Sequence, residues 1–554
     1  MKSKGKGAIP GVVYSYMDEH FYNHREVSFV NRPFPLHEAE THFERLARWG
    51  CQCLRVLVPW EALEHAGPGL YDEDYITYLI SLLKIAAKYG LKCFLDPHVD
   101  CWSRFTGGSG MPGWTIELAG LDMTKFKQTG AAVVHNTYDD KENFPKMIWA
   151  TNSIKVAAAT MYTLFFAGQI FAPQAMRGQV NIQHFMQAHF MEAFAHLTRR
   201  IRKDPGLIGS GTVMGFDTLN EPSPGYLNHP DLNHLLELAD LQVGTCPTPF
   251  QGLQLAQGQT VKCQVWETGG IGPLKKGSVK VNTEKVNLWR RPYWRARRYH
   301  QRNESDQCLW AEHKVWDPRT GKLLQPNYFE RIPTRGYIPP GFQPGKLVEW
   351  RQDFWLPFVN TFSLRLRQED ERLTMFVEPP INEAPPIPED LYDNACQHPT
   401  FDPVGDVSEN VVVAPHFYDG YTNVTRDFVP FTLDYLGYKR GIYWSVLGAL
   451  KFGWSGVGKA WKDQVHGIQS DIRFAMGHEH GILMGETGLP MDLHEKASFK
   501  NRYGHPKQVF AMKLLLDAMD SSMLSYTLWN YCPDNSNHWG DRWNGEDFSV
   551  WCPP

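Results

Sequence analysis

Seven stretches of the chain share one pattern. An unbroken apolar run ends abruptly in a polar residue, a loop follows, and then comes a segment with apolar positions every three or four residues. The runs are CLRVLVPW (53–60), LKCFLDPHVD (91–100), TVMGFDTLNEP (212–222), RLTMFVEPP (372–380), NVVVAPHFYD (410–419), GILMGETGLP (481–490) and MLSYTLWNY (523–531). Short runs that are continuous rather than alternating suit strands buried on both faces. The segments between them predict helices. HEAETHFERLARWG (37–50) and DEDYITYLISLLKIAAKYG (72–90) each close on a glycine, Gly50 and Gly90, at a helix C-cap position. IQHFMQAHFMEAFAHLTRRI (182–201) leads into the third run. AIPGVVYSYM (8–17) is the candidate for an eighth strand, at the start of the chain.

Eight such units predict an α/β fold, a (β/α)8 TIM barrel. A doubly wound sheet would alternate in the same way, but no glycine-rich phosphate loop follows any of the strands. At 554 residues the chain far exceeds the roughly 250 that a barrel needs. We therefore expect a single barrel domain over 1–554 with two long loop insertions. One spans about 223–350, after strand 4, and the other about 420–478, between strands 6 and 7. Within the second, GIYWSVLGALKFGWSGVGKAW (441–461) reads as a helix bent at Gly453 or Gly456. Its aromatic and aliphatic side chains either pack on the barrel or form a lid against an apolar ligand.

Polar residues gather at the C-terminal ends of the strands: Arg55, His98 with Asp100, Asn220 with Glu221, His416 with Tyr418, Glu486, and Trp529 with Asn530. That is the face on which barrel active sites are built. Glu221 and Glu486 end the fourth and seventh strands, which face each other across the mouth. Two opposed carboxylates are the apparatus of glycosidic-bond hydrolysis, one as nucleophile and the other as general acid and then base. Asn220 is placed to bond a sugar 2-hydroxyl. Arg55 and Tyr418 can keep Glu486 ionised, and the less compensated Glu221 can hold a proton near neutral pH. His416 can orient Glu221 or relay its proton. A lone strand-end glutamate is more often a rim or salt-bridging residue, and Glu378 in FVEPP is read that way.

Composition narrows the partners. Hydrophobic residues make up 42% and charged residues 21%, with a net charge of −4, which gives no reason to expect nucleic acid. The basic run LWRRPYWRARRYHQR (288–302) reads as a solvated loop or an attachment to anionic lipid head groups. Nineteen Trp and 13% aromatics fit a large core or a cleft for sugar or lipid. No signal peptide is visible, and the longest apolar run, VAAATMYTLFFAG (156–168), is too short to span a bilayer. Ten cysteines without a metal-type CxxC spacing read as reduced thiols of a cytoplasmic protein. No metal or other cofactor is expected, because the two carboxylates supply both acid and nucleophile. No obligate protein partner is expected either.

Arg55, His98, Asn220-Glu221, His416-x-Tyr418, Glu486 and Trp529 together resemble the pattern of glycoside hydrolase family 5, retaining β-glycosidases on a (β/α)8 barrel. Longer strings, among them REVSFVNRPFPLHEAETHFERLARWG, DPHVDCWSRFTGGSGMPGWT, TLFFAGQIFAP and DRWNGEDFSVW, are similar to the fungal branch related to endoglycoceramidases. That branch includes steryl-β-glucosidases and glucosylceramidases. The resemblance implies Glu221 as acid/base and Glu486 as nucleophile. It also implies His98 and Asp100 on the outer hydroxyls of a glucose, with Trp529 as its stacking floor. Members of the branch continue into a C-terminal β-sandwich domain, which is expected to be absent here because the chain stops at WCPP just after the eighth strand.

The expected activity is hydrolysis of a glucolipid, a steryl β-glucoside first and glucosylceramide second, by double displacement. Peripheral contact with internal membranes or the vacuole would follow from such a substrate. The competing expectations are an endo-acting β-glycanase or endoglycoceramidase, and a catalytically inactive glycolipid-binding protein.

Overall fold

The apolar runs pair side by side into one curled parallel sheet. The computed structural model describes residues 21–140, 144–145, 149–235, 242–269, 273–290, 308–336, 338–381, 383–386, 410–500, 504–541 and 546–553. The candidate strand at 8–17 and most of the basic run 288–302 lie outside the described residues.

In chain order the barrel elements are α1 (Leu36–Arg48), β1 (Cys53–Leu57), α2 (Glu73–Lys88), β2 (Lys92–Asp96), α3 (Ile182–Arg202), β3 (Val213–Asp217), α4 (Leu356–Arg367) and β4 (Thr374–Val377). They continue with β5 (Val411–Val413), α5 (Gly453–Met476), β6 (Gly481–Thr487), α6 (Pro506–Ser521) and β7 (Ser525–Leu528). After Ala414 and Pro415 the β5 chain resumes as His416–Phe417, still alongside β6. Each strand runs parallel to its neighbour: Leu57 faces Asp96, Phe376 faces Asp217, Val377 faces Val413, His416 faces Glu486 and Thr487 faces Leu528. β7 comes back beside β1, so the sheet curls toward closure. This is the (β/α)8 barrel that the pattern predicted, with seven of its strands among the described residues.

Local sequence sets the helix ends. Asp72 accepts the Tyr75 N–H at 2.8 Å at the start of α2, and Asn181 accepts the Gln183 N–H at 3.0 Å at the start of α3. Each satisfies an amide that the helix itself leaves unbonded. Gly50 and Gly90, at φ +86° and +70°, turn the chain after α1 and α2 as expected.

Inside the barrel the Phe94 and Phe376 rings stack at 4.3 Å, closed in by Ala414 and Leu483, with Cys53 against them. Side chains two residues apart on a strand share a face. Cys53, Phe94 and Phe376 therefore place Arg55, Asp96 and Glu378 on the inward face, one layer nearer the mouth. The apolar plug is a floor on which a polar layer stands.

Both expected insertion ranges contain regular elements among the described residues. Residues 223–350 include an antiparallel sheet of Gly244–Cys246, Val261–Thr268 and Pro273–Val281. The segment 97–181, which the apolar pattern did not set apart, carries the helix Val156–Phe171, buried almost throughout and packed on α3. Its run is apolar all round because protein surrounds it: Trp102 meets Tyr162 and Phe165 edge-on at 5.3 and 5.7 Å. The expected bent helix at 441–461 does not form. Residues 441–449 are turns, Leu450–Phe452 pairs with Phe431–Leu433, and α5 begins only at Gly453, whose φ of +74° reverses the chain. Its side chains divide, with Trp461 buried in the core and Trp444 wholly exposed.

Close strand packing makes one glycine sensitive. A Cβ on Gly215 of β3 would lie 1.7 Å from the Thr374 carbonyl oxygen of β4. Gly215→Ala is expected to force the two strands apart, at a cost of at least about 1–3 kcal/mol. Urea unfolding should show a lowered midpoint; an unchanged midpoint would refute the close pairing.

Candidate active site

Arg55 is the centre of the polar layer. Its side chain is buried, and its Nη1 donates to Glu486 Oε2 at 2.5 Å. Nη2 donates to Asn220 Oδ1 at 2.6 Å and to Glu378 Oε2 at 3.1 Å, and lies 3.1 Å from Asp96 Oδ2. Asp217 stands 3.6 Å from its Nε. Burial disfavours the charge, but Asp96, Glu486, Glu378 and Asp217 outweigh it and hold the guanidinium protonated. Asp217 lies between burial and the charge of Glu378, which push its carboxyl well above the usual range despite Arg55.

Glu221 has φ of +38°, in the left-handed region that a non-glycine residue adopts at a cost. Its backbone N–H donates to Glu378 Oε1 at 2.5 Å, and its Oε1 lies 3.0 Å from His416 Nδ1. The other nitrogen of His416, Nε2, is 3.3 Å from Glu378 Oε2. Burial opposes protonation of His416, yet Glu378, Glu486 and Glu221 raise its pKa well above the ordinary value. Glu221 itself is pushed up to about 7, first by burial and then by the charges of Glu486 and Asp100, against the lowering pull of His416.

Glu486 has different surroundings. Each of its oxygens accepts from a donor: Oε2 from Arg55 and Oε1 from the Tyr418 hydroxyl at 2.7 Å. Burial and the neighbouring Glu486 push the Tyr418 phenol well above its ordinary value, so Tyr418 stays a donor. One carboxylate oxygen of Glu221, one of Glu486 and one nitrogen of His416 all lie within 4.8 Å of one another.

The remaining expected residues line one side of this pair. His98 lies between Asp96 Oδ2, 2.8 Å from its Nδ1, and Asp100 Oδ2, 3.0 Å from its Nε2. Burial works against the His98 charge, but Asp100 and Asp96 raise it to about 10. Asn220 Nδ2 donates to the Val99 carbonyl at 2.8 Å and reaches Asp100 Oδ1 at 3.4 Å. The Trp529 ring stacks on His98 with centroids 5.3 Å apart and planes 14° off parallel. Residues 546–550 close this side: Phe548 O accepts from Asn530 N at 3.1 Å, and the Phe548 ring meets Tyr418 edge-on.

The nine residues given a role from the sequence thus gather at one mouth. Three more belong with them: Asp96, Asp217 and Glu378. Of the two roles expected for Glu378, rim or salt-bridging, it takes the second, pairing with Arg55 and His416. It is fully buried and joins Arg55, His416 and the Glu221 backbone. The available signal was a carboxylate interrupting an apolar strand, in FLDPH, GFDTL and FVEPP.

No protein-family model matches the sequence. The glucosylceramidase of Rhizopus delemar is 38% identical over 547 residues, which are 98% of this chain and 73% of that protein. The ergosteryl-β-glucosidase of Saccharomyces cerevisiae is 33% identical over 561 residues, covering 97% of this chain and 70% of that one. The crystal structure of Cryptococcus neoformans sterylglucosidase 1 superposes with a TM-score of 0.87 at 33% identity, over 98% of this chain and 75% of that chain. With the barrel and the paired glutamates, these likenesses make the protein a glycoside hydrolase. The chain belongs to glycoside hydrolase family 5, in the fungal branch of steryl-β-glucosidases and endoglycoceramidase-related glucosylceramidases.

The raised pKa of Glu221 ties stability to pH. In the unfolded chain Glu221 loses its proton near the ordinary 4.5, but in the fold only near 7. Its contribution is therefore complete below about pH 4.5 and is lost as pH rises to about 7. Glu221→Gln should be more stable than the native chain at pH 8, with the two converging at pH 4.5. Urea midpoints measured across that range check this, and parallel curves would refute it. A decline assigned to His98, from the ordinary 6.5 to about 10, should persist in the variant.

Proposed function

We propose that the chain is a retaining β-glucosidase that releases glucose from a hydrophobic aglycone by double displacement. The observation that carries this is the carboxylate pair, with oxygens within 4.8 Å and unlike electrostatic surroundings. Retaining enzymes place these groups roughly 5–5.5 Å apart, whereas inverting ones need roughly 6.5–9.5 Å to admit a water.

In this reading Glu486, whose two oxygens accept from Arg55 and Tyr418, attacks the anomeric carbon. Glu221 gives its proton to the departing oxygen, so the glycosidic C–O bond breaks and the aglycone leaves as an alcohol. The glucosyl ester on Glu486 then yields to water, whose proton passes to Glu221. His416 orients Glu221, and Glu378 keeps His416 charged. Asn220 has one firm acceptor for Nδ2 and one long contact, which leaves an N–H for the sugar 2-hydroxyl. His98 and Asp100 hold the outer hydroxyls over the Trp529 face.

The aglycone is a lipid, as the names of the similar proteins suggest: a sterol first and a ceramide second. The buried thiols Cys93, Cys246, Cys263 and Cys308 support a cytosolic place of action.

Hydrolysis of steryl glucoside and of glucosylceramide by the purified chain, side by side, tests the reading. Glucose should come mainly from the sterol, and Glu486→Gln should reduce its release by about 10³-fold or more. Preference for ceramide would keep the mechanism and change the aglycone. Release from neither, by a folded chain, would overturn it. Glu221→Gln should slow alkyl glucosides far more than aryl glucosides, whose better leaving group needs less protonation.

The pH dependence is a second check. The kcat/KM profile should fall above about pH 7 as Glu221 loses its proton. Glu378→Gln should let His416 give up its charge, removing the cation that lowers Glu221, and so move that limb to higher pH. A limb that stays put would separate Glu378 from the acid.

A further inference from the structure

The excursion that follows Tyr418 is anchored to the mouth of the barrel. Asp419 Oδ2 accepts from Thr422 N at 2.9 Å, and Asp419 Oδ1 accepts from the Thr432 hydroxyl at 2.6 Å. The antiparallel pair Phe431–Leu433 and Leu450–Phe452 is thereby tied to the strand end that carries His416 and Tyr418. Residues 434–449 project from this pair. The projection is braced: Asp434 accepts from Gly437 N at 2.9 Å and from the Tyr443 hydroxyl at 2.8 Å, and Arg440 Nε bonds Asp471 at 2.8 Å.

Its tip is apolar and turned outward. Ile442 is 64% exposed, Trp444 104%, Leu447 69% and Phe452 71%. Single exposed apolar residues are ordinary, but four large ones within eleven positions of a braced turn mark an interaction site. Charge then selects the partner. Between Asp434 and Asp463 the chain carries five basic residues and no acidic one; Arg440 pairs with Asp471 and Lys459 with Asp463, so the positive excess is that of Lys439, Lys451 and Lys462. A protruding aromatic tip in a basic collar matches the boundary between acyl chains and anionic head groups.

We propose that the 434–454 excursion is a membrane-docking wedge. Ile442, Trp444 and Leu447 enter the interface of an anionic bilayer, the basic collar meets its head groups, and the barrel mouth is held near the surface from which a glucolipid presents its sugar. The last clause rests on the lipid aglycone proposed above; the docking itself does not. The wedge also reassigns a segment whose sequence suggested core or lid, because side chains this exposed touch neither.

The test uses the full chain and its variant Ile442→Ser/Trp444→Ser/Leu447→Ser. Flotation is measured with vesicles of phosphatidylcholine alone and of phosphatidylcholine with phosphatidylserine. The native chain should float with the anionic vesicles, less so at high salt, and the variant about tenfold less. The variant should keep its thermal midpoint and its turnover of a soluble aryl β-glucoside. It should lose about tenfold on glucolipid presented in vesicles. Equal flotation of variant and native chain, or no flotation of the native chain, would overturn the wedge. A variant that instead shifts sedimentation from dimer to monomer, with no vesicle effect, would make this face a contact between copies and equally overturn it. Loss of aryl-glucoside turnover by the native chain would count against the glucosidase reading alone, since flotation needs no catalysis.

Discussion

A single guanidinium organises the mouth of this barrel. Arg55 is taken out of water by its position on an inward-facing strand residue, and a buried charge left alone would be prohibitive. Four carboxylates and one carboxamide from four other strand ends converge on it, at Asp96, Asp217, Asn220, Glu378 and Glu486. The consequence is geometric as well as energetic. Strand ends that would otherwise repel one another through their acids are drawn to a common centre, and each side chain is fixed by the same cation.

Around that centre the two glutamates become unlike. Glu486 shares Arg55 directly, and its second oxygen takes the Tyr418 hydroxyl. Glu221 reaches no such cation first-hand. It faces His416, which Glu378 behind it helps to keep charged, and burial with the charges of Glu486 and Asp100 raises the Glu221 carboxyl against that cation's pull. Two residues of one type thus acquire different electrostatics through different neighbours, which is the asymmetry that the proposed division into acid and nucleophile requires. The backbone of Glu221, in its unfavoured conformation, donates its N–H to the same Glu378, so one buried carboxylate bears on both the backbone of Glu221 and the charge of the histidine it faces.

Two long excursions leave the barrel and treat their apolar residues in opposite ways. Helix Val156–Phe171 and its aromatic neighbours build a second packed layer beside the mouth, and the 434–454 projection leaves that mouth in the opposite manner, with its apolar side chains outward. Both excursions are apolar in sequence, and only one is core.

How much was legible follows from burial. Seven strands could be read because parallel strands covered on both faces are apolar without interruption, and their C-terminal residues therefore stood out: Arg55, His98, Asp100, Asn220, Glu221, His416, Tyr418, Glu486 and Trp529. The same lack of interruption hid orientation. Alternation is what tells inside from outside, and a strand apolar on both faces does not alternate. Glu378 and a rim glutamate look identical until Phe376 is seen inside the barrel, which turns the residue two further on inward as well. The turns at 441–449 were hidden for a related reason, since apolar residues promise burial but do not name the surface that provides it. By itself the sequence determined the order of the strands, the chemistry at their ends and the family. Tertiary structure alone decided which carboxylates share Arg55, that burial raises Glu221, and which apolar stretch faces water, because each depends on neighbours brought together from distant parts of the chain.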